Sequence, residues 1–311
     1  MLKTGIIGRS EWMYFTLKHL INEGIKISFI LTSKEAPEYK FEVEDFRLIA
    51  AKNNIPFLNT SKVNSKDAIK FFNENKAEIV LSVNYTGIIS QKIINLFPLG
   101  ILNAHGGDLP RYRGNACQAW AIINEEKKIG LCIHKMIGGE LDSGDIIAKS
   151  YLDIDVNTSI SKVYEWMENK VPELMFNAIE KLNNNPKFIL ETQSKNPKHA
   201  LRCYPRRPED GKINWNFSAV NILRLINASS EPFSGAFCNY ENDKIIIWRA
   251  EIFTDNENYL AIPGQVSLID HQSNCIIVIT GNGKLKITEI EYQGDRCNPN
   301  TIIKSIRKRL L

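Results

Sequence analysis

The chain of 311 residues contains no run of 18 apolar residues, so no membrane-spanning helix is expected. Its first residues, MLKTGIIG, lack a long apolar segment behind them and read as a short strand, not a secretion signal. Net charge is small, +4, and no basic run stands out before the tail KSIRKRLL. A nucleic-acid-binding face is therefore not expected. Lys304, Arg307, Lys308 and Arg309 in that tail read as the solvated side of a last helix. The six cysteines (Cys117, Cys132, Cys203, Cys238, Cys275 and Cys297) never form a CxxC pair. That spacing argues against a zinc site and for reduced thiols in a cytoplasmic protein, with no metal required. The glycine-containing turn GIIGRS lacks the third glycine of a dinucleotide fingerprint, and no acidic residue closes the second apolar run, ILTS. Both features argue against a nicotinamide enzyme.

What is present is ordinary globular composition, 43% hydrophobic and 24% charged. The length suggests about two domains. Apolar strand patterns (KTGIIG, KISFILTS, EIVLSVNY, GILNAH) alternate with helical ones at 11–23, 41–53, 65–76 and 90–97. Such alternation predicts an α/β fold with a Rossmann-like, mostly parallel sheet and helices on both faces. After residue 185 the chain turns polar and Pro-rich (NNNPKF, QSKNPKHALRCYPRRPEDG) and reads as a linker. A helix at 217–228 and the short runs KIIIWRAEIF, GQVSLID, CIIVITG and KLKITEIEY follow. They suggest a small, mainly-β, OB-like barrel. The expected division is 1–200 and 201–311.

The segment 103–115, NAHGGDLPRYRGN, lies at the carboxyl end of the fourth strand, where ligands of such sheets bind. Asn103 and His105 are two apart on a strand and project to one face. An Asn amide can donate to an oxyanion, and a His can act as a base near neutral pH. A strand-end His can equally be hydrogen-bonded structure. A carboxylate partner for it could come from Glu140, Asp142 or Asp145 in GGELDSGDIIAKS, and sequence distance does not choose among them. His134, in the apolar strand LCIHKM, reads as a satisfied structural histidine. His19, His199 and His271 have no catalytic surroundings. Trp120 reads as core.

The block from Asn103 to Ser150 resembles the formyltransferases that use 10-formyltetrahydrofolate. Their hallmark is N-x-H, then L-P-x-Y-R-G, then D-x-G. Here these are Asn103-Ala104-His105, Leu109 to Gly114, and Asp142-Ser143-Gly144. The similarity extends through YPRRPEDGKINW, PFSGAF and KIIIW. It implies that Asn103, His105 and Asp142 are catalytic and that folate is the co-substrate. Its pocket would lie around Asn84, Tyr85, Thr86, Gly87 and Ile88, with Leu109 and the Gly138, Gly139, Glu140 loop. Two departures stand out: GGD follows His105 where many relatives have G-S-L, and the stretch Met136 to Asp142 is one residue longer.

The family's acceptors include initiator methionyl-tRNA, the aminoarabinose of lipid A, and nucleotide-linked amino sugars. The loop after the second strand, TSKEAPEYKFEVEDF, holds five acidic residues against Lys34 and Lys40. Acidic charge repels phosphates, which disfavours tRNA. The resemblance is greatest to the amino-sugar enzymes. It implies a dTDP- or UDP-linked amino-deoxy sugar, such as a 4-amino-4,6-dideoxyhexose destined for surface polysaccharide, and a possible homodimer. Arg9, Ser10, Trp12, Tyr39, Tyr204, Arg206 and Arg207 are the candidate contacts to that substrate. Trp12 and Tyr14 fit helix packing as readily as stacking on a base. An arginine such as Arg206 fits an interdomain or surface ion pair as readily as a phosphate.

Overall fold

The computed structural model describes all 311 residues. They cluster into two units. The first comprises Met1–Cys117, Ile129–Leu152 and Tyr164–Tyr204, and the second Gln118–Lys128, Asp153–Val163 and Pro205–Leu311.

The first unit opens with β1 (Thr4–Gly8), α1 (Ser10–Asn22), β2 (Ile27–Thr32) and α2 (Val43–Lys52). Next come β3 (Phe57–Asn59), α3 (Lys66–Glu74), β4 (Ile79–Val83), α4 (Gln91–Ile94) and β5 (Ile101–His105). They are followed by β6 (Tyr112–Gly114), α5 (Cys117–Ile123), β7 (Lys128–Lys135), β8 (Ile146–Asp153), α6 (Ile160–Asn184) and β9 (Leu201–Cys203), of which α5 from Gln118 on and the first turn of α6 fall to the second unit. Seven strands form one sheet in the order β3-β2-β1-β4-β5-β7-β8. From β3 to β5 neighbours run parallel, and β7 runs antiparallel to β5. The mostly parallel, Rossmann-like sheet expected from the pattern is present, with β3 an extra edge strand the pattern had not marked. FLN is too short to show a period.

Both faces of the central strands are dry. Ile7, Phe29, Leu31, Val80 and Ile101 join a core with Ala68 and Phe72 of α3 and Phe97. Their neighbours Ile6, Ile30, Leu81 and Leu102 are equally buried. Strands buried on both faces need apolar residues at consecutive positions, which is why they read as runs. Helix α3 shows how local sequence meets that core. Ala68 and Phe72, four apart, form its buried stripe. Ser65 caps it by accepting a hydrogen bond from the Ala68 N–H at 3.2 Å. Replacing Ser65 by Ala should cost about 1 kcal/mol of stability, read as a lower urea midpoint at unchanged m-value.

Up to Tyr204, the segment expected as a linker is built into this unit. Glu191 bridges to Ile146, and β9 pairs in parallel with β6. A polar, Pro-rich composition therefore marked irregular chain, not free chain.

The second unit is an antiparallel sheet with the helix α7 (Ala219–Ser229), together with most of α5 and the first turn of α6. Its strands are β10 (Ala236–Tyr240), β11 (Asp243–Phe253), β12 (Val266–Asp270), β13 (Cys275–Ile279), β14 (Lys284–Tyr292) and β15 (Asp295–Cys297). The order is β10-β11-β14-β13-β12, with β15 added to β14. Ile222, Leu223 and Ile226 of α7 pack with Ile245, Ile247, Val278, Leu285 and Ile287 of the sheet. Two segments far back in the chain belong here as well. The Arg224 guanidinium donates to the Ile122 carbonyl at 3.2 Å, and the Asn227 amide to that of Val156 at 2.8 Å. The tail is not a helix. It lies extended between the two sheet edges: Leu311 exchanges both backbone hydrogen bonds with Asn239, and the Leu310 N–H donates to the Gly264 carbonyl. Leu310 is buried in the process. Its basic residues had suggested a solvated helix face, but the two apolar residues that end it supply the packing.

Candidate active site

Strand β5 lies between β4 and β7, with Asn103 opposite Ser82 on one side and His134 on the other. Asn103 and His105 alternate onto one face, and residues directly opposite on adjacent strands share a face. The register thus delivers three side chains to one place: Asn103, His105 and His134. The loop after β5 then folds back tightly. A Cβ on Gly107 would lie 2.5 Å from His105 Nε2 and 2.3 Å from the Tyr112 carbonyl oxygen, so only glycine fits.

Asp142 reaches the same spot from the turn before β8. It takes a left-handed backbone, φ 47, which Asp tolerates better than most residues. Two residues on, a Cβ at Gly144 would meet the Lys135 carbonyl oxygen at 1.9 Å, which seats the turn on the end of β7. Asp142 Oδ2 accepts the Gly114 N–H at 2.9 Å and lies 3.6 Å from His105 Nδ1. Its Oδ1 is 3.5 Å from His134 Nε2. The carboxylate therefore sits between two imidazoles, as the resemblance implied for His105 alone.

The hydrogen bonds determine the tautomers, because a carbonyl can only accept. His105 Nε2 donates to the Tyr112 carbonyl at 2.5 Å, which leaves Nδ1, facing Asp142, as the basic nitrogen. His134 Nδ1 donates to the Lys135 carbonyl at 2.9 Å, so its Nε2 accepts from the Asn103 amide at 3.3 Å. That contact pins the amide of Asn103. Burial pushes the His105 imidazole below its ordinary pKa, and the Asp142 carboxylate opposes that push. For Asp142, burial acts upward, but the two imidazoles and the Gly114 N–H outweigh it and hold the carboxyl well below the usual range. At neutral pH the pair is a neutral base beside an ionised partner. Chemically, the cluster can take a proton on His105 and hold the resulting cation against a fixed charge, with an amide donor alongside.

His134 was expected to be structural. It is buried and satisfied, but the same contacts place it in the constellation. The β5–β7 register, invisible in periodicity, carried that information. Asp108, the extra charge of the GGD loop, is held by Tyr151 Oη at 2.9 Å with Lys149 at 3.7 Å.

Other expected contacts divide into groups. Asn84, at the end of β4, donates from its amide to Tyr39 Oη at 2.8 Å, and the Arg9 guanidinium stacks 5.0 Å over the Tyr39 ring. Arg9 also donates to the Lys34 carbonyl. Ser10 is buried at the start of α1, and Trp12 packs edge-on to Tyr164 at 4.9 Å. These residues gather at the carboxyl ends of β1, β2 and β4. Five buried polar atoms there lack any protein partner: Arg9 Nε, Ser10 Oγ, Glu11 Oε2, Trp12 Nε1 and Ser33 Oγ.

Tyr85 is half-buried and donates to the Thr60 carbonyl, while Thr86 and Ile88 are exposed. Gly87 and Ile88 line an opening of about 480 Å³ with residues 61–65. The Gly138 N–H donates to Gln91 Oε1, Gly139 is exposed, and Glu140 accepts from the Ser143 hydroxyl. Glu140 and Ser143 border a second opening, of about 330 Å³, with Arg113, Leu141 and Arg202.

The side chains of two expected contacts are largely engaged within the protein. Leu109 is 1% exposed and packs with Cys132 and Ile146, so its side chain underpins the loop instead of lining a pocket. Arg206 spends its guanidinium inside the second unit, donating to the Ala228 and Asp210 carbonyls and Ser229 Oγ. Both of its terminal nitrogens are thus committed, while its Nε is buried without a hydrogen-bond partner. Arg207 and Tyr204 are exposed.

Comparison with known proteins fits this geometry. Residues 6–179 match the formyl transferase domain model, and residues 206–307 its C-terminal domain. The methionyl-tRNA formyltransferase of Acetivibrio thermocellus is 26% identical over 93% of this chain and 92% of its own length. Among solved structures, WlaRD, a sugar 3N-formyl transferase determined with dTDP and 5-N-formyl-THF, aligns with TM-score 0.68 and 18% identity over 95% of this chain and 99% of its own. HypX from Aquifex aeolicus, determined with tetrahydrofolic acid, aligns with TM-score 0.64 and 15% identity over 98% of this chain. This chain spans only 47% of HypX. With both of its domain models matched along the chain, the protein belongs to the formyl transferase family and is a formyltransferase.

Proposed function

We propose that this formyltransferase moves the formyl group of 10-formyltetrahydrofolate to the amine of a dTDP- or UDP-linked amino-deoxy sugar. The observation that carries the choice of acceptor is the set of five unpartnered polar atoms on Arg9 and its neighbours. Buried donors and acceptors without partners are costly and are normally satisfied. Here they stand at the carboxyl ends of the parallel strands, where ligands bind. A small, densely hydroxylated and anionic molecule supplies matching groups, with Arg9 and the Tyr39 ring for its charge and base.

In this reading the amine attacks the formyl carbon, and His105 Nδ1 takes the proton that the amine releases. Asp142 steadies the imidazolium so formed. Asn103, its amide held by His134, donates to the oxyanion of the tetrahedral intermediate. The intermediate then collapses by breaking the bond between the formyl carbon and N10 of the folate, and His105 returns the proton to N10 as tetrahydrofolate leaves. The folate occupies the region of Asn84 to Ile88 and Gly138 to Glu140.

Initiator methionyl-tRNA is the second reading, and it is favoured by the full-length match to a methionyl-tRNA formyltransferase. Against it stands the loop after β2. Lys40 there is already paired with Glu168 and Glu44 with Arg47, which leaves Glu35, Glu38 and Glu42 against Lys34. A screen of amine-bearing dTDP- and UDP-sugars with 10-formyltetrahydrofolate, read by mass, should give one formylated sugar. A gel shift with initiator tRNA should show no salt-sensitive complex. Tight, salt-sensitive tRNA binding with no sugar formylated would reverse the assignment.

A further inference from the structure

Gln193 lies in the Pro-rich stretch, far from every recognisable motif, yet it is 4% exposed. All three ends of its side chain are used. Its Nε2 donates to the Asp142 carbonyl at 2.9 Å and to the Gly144 carbonyl at 2.7 Å. Its Oε1 accepts from Arg113 Nη2 at 2.8 Å. The orientation is unambiguous, because carbonyls only accept and a guanidinium only donates. Asp142 needs such support. Its backbone is left-handed, and its carboxylate is placed partly by the Gly114 N–H, next to Arg113. Gln193 thus joins the two segments, 113–114 and 142–144, that together aim the carboxylate.

We propose that Gln193 is a positioning residue for formyl transfer: it clamps the 142–144 turn to Arg113, so that the Asp142 carboxylate stays between His105 and His134. That role rests on Asp142 acting as the partner of His105, as proposed above. It needs an amide, because only an amide offers two donors and one acceptor at that length. A glutamate keeps the Arg113 contact but faces two carbonyls with acceptors. A methionine of similar length makes none of the three bonds.

The test is the titration of the histidine ring signals by NMR in the ligand-free protein, which needs no substrate. The chain has five histidines, and the His105 signal is identified by its loss in His105→Asn. The groups facing His105 are Asp142, His134, Arg113 and the Cys117 thiol. Of these, Asp142 is the one that holds its proton on. In Gln193→Met the carboxylate drifts, and the His105 midpoint should fall by about half a pH unit or more. Turnover should drop about 10–100-fold, as for other losses of an orienting partner, with KM for 10-formyltetrahydrofolate within about twofold. Loss of packing alone would lower Tm and leave the titration in place. A folded Gln193→Met with wild-type His105 titration and turnover overturns the proposal. Should that variant not fold, Gln193→Glu, which keeps the Arg113 contact, is judged by the same two readouts. Asp142→Asn is measured in parallel. If it moves His105 and Gln193→Met does not, positioning fails alone. If neither moves it, the pairing of Asp142 with His105 fails as well.

Discussion

His105→Asn is expected to lower kcat by about 10²–10⁴-fold, the range for loss of a positioned general base. The substitution keeps a polar side chain of smaller volume, so the fold should survive and far-UV circular dichroism should match the wild type. The expectation rests on three facts. The ring is buried, its Nε2 is committed to the Tyr112 carbonyl, and its Nδ1 faces a carboxylate. No other group in the constellation combines a free lone pair with such a partner. Asn103→Ala, which removes one oxyanion donor, should cost about 10²–10³-fold. The two effects should be far from additive if both groups act on one tetrahedral intermediate.

A second readout checks the state of the ring itself. Burial holds the folded pKa of His105 below its unfolded value, so as pH falls through about 6.5 the unfolded chain takes up the proton first. Stability therefore declines with falling pH across that window. His105→Asn removes this contribution, and urea titrations at pH 7.5 and 5.5 should show a smaller difference in the variant. Purified His105→Asn with near-wild-type turnover would remove the base from the mechanism.

Much of this was legible in the residues. The apolar runs of β1, β2, β4 and β5 announced a doubly covered parallel sheet. The pair Asn103 and His105 announced itself by alternation at a strand end. Three features were not legible, each for a physical reason. His134 joins the site through antiparallel register between strands 31 residues apart, and period-two patterns carry no register. Gln193 acts through hydrogen bonds to backbone, which any sequence can offer, so nothing in its neighbours advertises it. Leu109 belongs to a conspicuous motif, but the motif places the loop and buries this side chain beneath it. Asp142 stood between these cases. Its glycine-rich surroundings promised a turn, and only the resemblance separated it from Glu140 and Asp145. The structure gives the physical distinction. Asp142 alone of the three faces both imidazoles, while Glu140 turns outward to Ser143.

Asp142→Asn isolates the charge of that residue. The amide keeps the size of the carboxyl and an oxygen to accept the Gly114 N–H, but it offers no counter-charge to a protonated ring. If the imidazolium of His105 forms during transfer, its partner is missing at that moment, and kcat should fall by about 10²–10³-fold with little change in KM. The pH profile should move in a definite direction. The carboxylate is the neighbour that raises the His105 pKa against burial. Without it the ring deprotonates at lower pH, and the acidic limb of kcat/KM shifts downward. The variant plateau should thus be lower in height and wider toward acid. Stability should respond with the opposite emphasis. Asp142 is held well below the usual carboxylate pKa, so it contributes stability above about pH 4 that is lost as pH falls through its folded value. The asparagine variant should lack that acid-side decline. An acidic limb that stays in place, together with undiminished turnover, would show that the carboxylate neither steadies the ring nor assists transfer.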